Sequence, residues 1–158
     1  MGLKDYLNAK AQHEDDAKAL EKKRKAEKHI AKALEGELFS GLDKLGRKNR
    51  LLVKHDYRTG SYTGRSIYLC EPPDRRMNKT QSENTRVLIS AQKRDYLFYS
   101  IGGATVGSMY LHLKISIGSD LTPEITTAEY SEHDGSGLTR KSPEKRWNSI
   151  QEFIDSLA

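Results

Sequence analysis

Four lysines and a histidine, Lys18, Lys22, Lys25, His29 and Lys32, recur at intervals of three or four residues, the spacing that stacks side chains along one side of an α-helix. Cations set about a turn apart can track a phosphate backbone and release its counterions, giving attraction that ignores base sequence and weakens with salt. Lys23 and Lys28 stand close to the row. The same spacing also suits a helix that is merely solvated. Glu14 precedes Lys18 and Glu21 precedes Lys25 by four residues, pairs that stabilise an exposed helix by about 0.2–0.5 kcal/mol each.

A second basic and aromatic group comprises Arg58, Tyr62, Arg65, Tyr68, Arg75, Arg76 and Lys79. Aromatic faces beside arginines can stack unpaired bases and neutralise their phosphates. Against that stands the ordinary place of tyrosine in strands, as a half-buried sheet residue. Arg58, Arg65, Arg75 and Arg76 join the helical row as candidate contacts for nucleic acid or an acidic partner.

Catalytic and metal chemistry lack a pattern. His13, His29, His55, His112 and His133 are scattered, with no CxxC, HExxH or His-x-His spacing, so no metal site is expected. Glu132-His133-Asp134 runs straight into Gly135-Ser136-Gly137, the composition of an exposed turn. Gly60 to Gly64 and Gly102 to Gly107 are glycine-rich, yet neither carries the Lys-Ser/Thr pair of a Walker loop or the strand and helix of a dinucleotide fingerprint. Both read as turns, and no cofactor is implied. Cys70 is the lone cysteine, which rules out an intramolecular disulfide and favours the cytoplasm. Its apolar neighbours suit a small inert core residue. For a small enzyme with a pocket between sheet and helices, His55, His112, Tyr99 and Tyr110 are the first candidates, because strands hold polar groups rigidly.

The elements that must position these residues follow from composition. From Leu3 to about Leu45 proline is absent and alanine, leucine, lysine and glutamate prevail, residues that lose little side-chain entropy in a helix. Leu20, Ala31, Leu34, Leu38, Leu42 and Leu45 share a face at 100° per residue. Between Gln12 and Lys28 that face also carries His13, Asp16, Arg24 and Glu27, too polar for a core, so the first half should project. Gly36 and Ser40-Gly41 are places for the helix to bend, and two pieces are expected as readily as one.

Past Arg50 the chain turns to short runs rich in Val, Ile, Tyr and Thr, and the predicted strands are 51–57, 65–71, 86–91, 96–101, 106–117 and 125–131. Met109 to Ile117 alternates apolar and polar, one face buried and one wet. Lys93-Arg94-Asp95 is short enough for a hairpin turn, and 71–85, with Pro72-Pro73, reads as a surface loop. A final helix is expected from Ser142 as cap and Pro143 as first residue, with Trp147, Ile150, Phe153, Ile154 and Leu157 on one stripe.

The fold class is therefore α+β: a long N-terminal helix, an antiparallel meander of five or six strands and a C-terminal amphipathic helix. Residues 1–48 form a charged arm whose C-terminal half packs on an α+β body, 49–158. The net charge of +5 is uneven, +3 over 1–48, +5 over 49–100 and −3 over 101–158. No leader or membrane anchor is read in the sequence. The expected function is a non-catalytic macromolecular binding or regulatory protein. Its arm would engage another protein or a second copy. Alternatives are a sequence-independent nucleic-acid binder and a small enzyme.

Overall fold

Helix-favouring composition carries the chain without a break from Leu3 to Lys48, a helix of 46 residues, α1. The computed structural model describes residues 2–58, 64–74, 76, 78–79, 85–106, 110–133, 137–140 and 143–158, of which 58, 110, 131–133 and 137–140 are described by backbone alone. α1 continues through both Gly36 and Gly41, so that of the two forms the sequence allows, one piece or two, it takes the single one. Two of its glycines are contact points. A Cβ at Gly41 would collide with Ile154, and one at Gly46 would lie 2.6 Å from a methyl of Val53 and 2.7 Å from one of Leu69.

The helix stops where local bonding offers an alternative. Asn49 bonds back to the Leu45 carbonyl through its amide N–H at 3.2 Å and its side chain at 2.8 Å. Arg50 then takes φ 57°, the left-handed residue that turns a chain off a helix C-terminus. Leu51 N–H closes onto Gly46 O at 2.8 Å, and the first strand starts one residue later.

Eight strands follow in the described residues: β1 Leu52–Arg58, β2 Gly64–Cys70, β3 Val87–Asp95, β4 Phe98–Gly102, β5 Tyr110–Ile117, β6 Pro123–His133, β7 Gly137–Arg140 and β8 Lys145–Trp147. β1 to β7 pair in sequence order, each antiparallel to the next, and β8 also pairs with β6. β7 lies against residues 130–133 of β6 and β8 against residues 125–127. Both thus pair with β6, at different stretches of it. Both were missed in the sequence, so the count exceeds five or six. β3 also runs past its expected end to Asp95, and the hairpin turn is Tyr96-Leu97 rather than Lys93-Arg94-Asp95. Leu97 adopts φ 55° there and its carbonyl accepts from Ile115 N–H at 3.0 Å.

The second helix, α2, spans Ile150–Leu157, and Ser149 is its cap. Ser149 Oγ accepts from Glu152 N–H at 3.0 Å, while Glu152 accepts from Asn148 N–H at 3.2 Å. This corrects the expected start at Ser142, itself outside the described residues. The Ser-x-x-Glu pattern satisfies two free amides at once, whereas Trp147 is already held in β8, opposite Ile125.

Period-two alternation sorts the sheet into two faces. Ile67, Leu69, Ile89, Ala91, Tyr99, Ile101, Leu113, Ile115 and Ile125 face the helices. With Ala31, Leu38, Phe39 and Leu42 of α1 and Ile150, Phe153 and Ile154 of α2 they form the buried core. Trp147 packs edge-on to Phe153, ring centres 5.5 Å apart, and its indole N–H donates to Thr127 Oγ1 at 2.8 Å.

Candidate functional site

The polarity of the first half of α1 decides how it sits. Residues 2–25 are exposed without exception, and burial begins only near Ala26. This stretch extends about 36 Å at 1.5 Å per residue. Lys18, Lys22, Lys25, His29 and Lys32 are all exposed on it or just beyond it. None of the four lysines forms an ion pair among the described residues, and neither the Glu14–Lys18 nor the Glu21–Lys25 pair is closed. The ion pairs of α1 lie further along, at Asp43–Arg47 (3.0 Å) and Glu35–Lys93 (3.0 Å). At 100° per residue Lys18, Lys22, Lys25 and His29 point well away from Leu38 and Leu42, whereas Lys32 lies nearly in line with the buried Phe39 and lines a recess beside Glu35.

The second basic group does not assemble. Arg65 lies on the helix-facing side of β2, its guanidinium 4.5 Å from the Phe39 ring centre and 5.4 Å from that of Tyr57. Tyr68, three residues on, is on the opposite face and accepts from Gln92 Nε2 at 3.1 Å. An odd spacing along a strand sends two side chains to opposite faces, so these two cannot serve one ligand. Arg76 is exposed in the loop after β2, its N–H bonded to Asp74 at 3.2 Å. Arg75 and Tyr62 are outside the described residues, as is the Arg58 side chain.

The enzyme candidates are likewise divided. His55 faces the helices and meets Asp43 at 3.1 Å. Arg47 chiefly, then His55, bonds the Asp43 carboxyl and holds it below the usual carboxylate range. Tyr99 is also on this side, fully buried, its hydroxyl donating to Glu35 Oε1 at 2.9 Å while Lys93 reaches the same oxygen at 3.0 Å. Burial first, then the Glu35 charge, pushes the phenol far above its ordinary range. Lys28, Ala31, Lys32, Tyr96 and Leu97 complete a recess of about 130 Å³ around this trio, small beside the 300–1,000 Å³ of ordinary ligand pockets. The trio ties the β3–β4 hairpin to α1.

His112 belongs to the other face. It sits in a cross-strand row, Ser66–Gln92–Ser100–His112–Ala128, set by the register of β2 to β6. Phe98 meets its ring edge-on at 4.8 Å and Tyr130 lies at 4.6 Å on a tilt, leaving it 8% exposed. Burial chiefly, then the charge of Arg94, lowers its pKa. Arg94 donates to Ser100 Oγ at 3.2 Å. Sequence reasoning picked out His112 but missed Phe98, Tyr130 and Arg94, which only the strand register brings to it. The Tyr110 side chain lies outside the described residues, and so does Asp134 beside His133.

The segment after β4 is a turn. Gly103 has φ +109°, and the next two amides bond the carbonyls of Val87 and Leu88 at 3.0 and 3.1 Å. A side chain at Gly103 would strike the Leu88 backbone. Cys70 is buried. Among the described residues no three metal-binding side chains converge, and no helix is long and apolar enough to cross a membrane. The molecule thus defines an α+β class, a helix-backed antiparallel meander with a free helical extension. Comparison with protein-family models, curated proteins and solved structures finds no match.

Proposed function

We propose that this chain is a non-catalytic binding protein whose projecting helix contacts a polyanion, nucleic acid being the partner its cation spacing fits. One observation carries the reading. Among the described residues, Lys18, Lys22, Lys25 and Lys32, with His29 between them, are exposed and without ion pairs along about 21 Å of helix; the first three are turned from the core and Lys32 stands at the rim of the recess beside Glu35. Unpaired cations at turn intervals have little to contribute to a solvated helix, whereas each can replace a counterion on a phosphate. Arg65 plays no part, since its guanidinium is spent against Phe39, and the contact is to backbone phosphates rather than to bases.

The test is fluorescence anisotropy with a labelled 20-base-pair duplex of arbitrary sequence, read between 50 and 200 mM salt. Four neutralised phosphates predict a log–log salt slope near −3.6, a loss of roughly a hundredfold in affinity across that range. Replacing the four lysines by glutamine should flatten the slope. Retention by the quadruple variant equal to that of the parent, or no retention of duplex at 50 mM salt, would remove the proposal.

A further inference from the structure

We infer that the projecting part of α1 pairs antiparallel with the same segment of a second copy of this chain. The face that would meet the partner is separate from the cationic row. Leu3, Tyr6, Lys10, His13, Ala17 and Leu20 alternate at spacings of three and four, the a and d pattern of a helix pair. They run in phase with Ala31, Leu34 and Leu38, which seat the same helix on the sheet. Leu3 is 74% exposed, Tyr6 57% and Leu20 55%. Leu7, at the edge of the stripe, is also exposed. A segment of this length held by no tertiary contact is marginally helical in water, so a partner laid along the stripe would stabilise both.

Two features of the sequence select a second copy and its direction. The stripe is apolar at both ends, Leu3 and Tyr6 against Ala17 and Leu20, and polar in the middle at Lys10 and His13. Reversing one copy sets Leu3 level with Leu20, Tyr6 level with Ala17 and Lys10 level with His13. Charge points the same way. Residues 2–11 carry +1 (Lys4, Asp5, Lys10) and residues 12–21 carry −3 (Glu14, Asp15, Asp16, Lys18, Glu21). Antiparallel pairing opposes unlike halves and brings Lys10 beside the acidic run. A parallel pair would set −3 on −3 and Lys10 on Lys10. The overlap ends near Glu21, short of the residues packed on the sheet, and each copy's Lys22, Lys25 and Lys32 stay free at opposite ends of the pair.

An overlap of about 30 Å is a small interface, at the weak end of specific association. The pair should therefore form with a dissociation constant on the order of 100 µM and come apart on dilution. Sedimentation or light scattering of the full chain from about 5 to 500 µM should show mass rising from 17.9 kDa toward twice that value. Helicity by circular dichroism should rise with it.

Direction is read by oxidation of Leu3→Cys and Leu20→Cys variants, with native Cys70 buried and out of reach. Mixed together they should cross-link to each other. Each alone should not, because like positions are about 26 Å apart. A monomer at the highest concentration, or a Leu3→Cys variant that links to itself as readily as the mixture does, overturns the inference. It rests on the helical extension being a contact element but not on the lysines. A monomer that binds duplex sinks the pairing alone, and a dimer indifferent to duplex sinks the nucleic-acid reading alone.

Discussion

Gly36 and Gly46 lie in the same helix, yet replacing each by alanine should move stability in opposite directions. In a helix interior alanine is favoured over glycine by about 1 kcal/mol, and both positions gain this. At Gly36 a Cβ meets nothing within 4 Å, so Gly36→Ala should stabilise by nearly the full amount. At Gly46 the added methyl falls 2.6 Å from Val53 Cγ2 and 2.7 Å from Leu69 Cδ2. Real contacts are longer than this, and Leu69 is fully buried, so the core must shift to admit the methyl. Overpacking of this kind costs about 1–3 kcal/mol, which leaves Gly46→Ala destabilised by up to about 2 kcal/mol after the propensity gain.

Urea melts of the two variants should therefore differ by about 1–3 kcal/mol. For a chain of this size each kcal/mol shifts the thermal midpoint by about 2–4 °C. Equal stabilisation by both substitutions would refute the reasoning. It would mean that the C-terminal turns of α1 do not seat on β1 and β2 at the distance described.

Two further outcomes test the electrostatics. The His112 pKa is lowered in the fold by burial and by Arg94. Below about pH 6.5, its unperturbed value, the unfolded chain takes up the proton more readily. Stability present above 6.5 should fall as pH drops toward the folded pKa, then level off for this group. His112→Gln should remove that part of the slope between pH 7.5 and 5, and an NMR midpoint for His112 at or above 6.5 would contradict it. Tyr99→Phe should cost about 1.5–3 kcal/mol in urea denaturation, the range for a hydrogen bond to a charged group. In a double-mutant cycle most of that loss should vanish in a Glu35→Gln background. A loss unchanged there would show that the hydroxyl acts through another neighbour.

Much of the fold is legible in the sequence because local preference and tertiary demand agree. Composition marks the helical region of α1, though not whether it is one piece or two, and the alternation of Met109 to Ile117 gives the two-faced character of β5. Legibility fails where two local signals compete or where the deciding contact is remote. Ser142-Pro143 and Ser149 to Glu152 both resemble a helix start, and Trp147 sits at helical spacing to Ile150 and Ile154, yet its pairing with Ile125 places it in a strand. Gly41 reads as a helix breaker until Ile154, over a hundred residues away in sequence, is found against it. β7 and β8 are four and three residues long and each carries charge, so no apolar period marks them.

The candidate surfaces divide in the same way. The cationic row is a property of one helix and can be read from spacing. Arg65 and Tyr68 look like partners along the chain and are separated by the pleat, while the company of Phe98, His112 and Tyr130 depends on a register that no single strand encodes.

Because β1 to β7 pair in sequence order, laying down the sheet asks for little ordering of distant chain. The meeting of Gly41 with Ile154 is different in kind, for it joins the two ends of the folded body. The chain between them is ordered in the sheet, so the contact closes the body rather than a free loop. α2 is thus the latch of the molecule, and Leu38, Leu42 and their sheet partners are sheltered from water in full only once those eight residues have swung home.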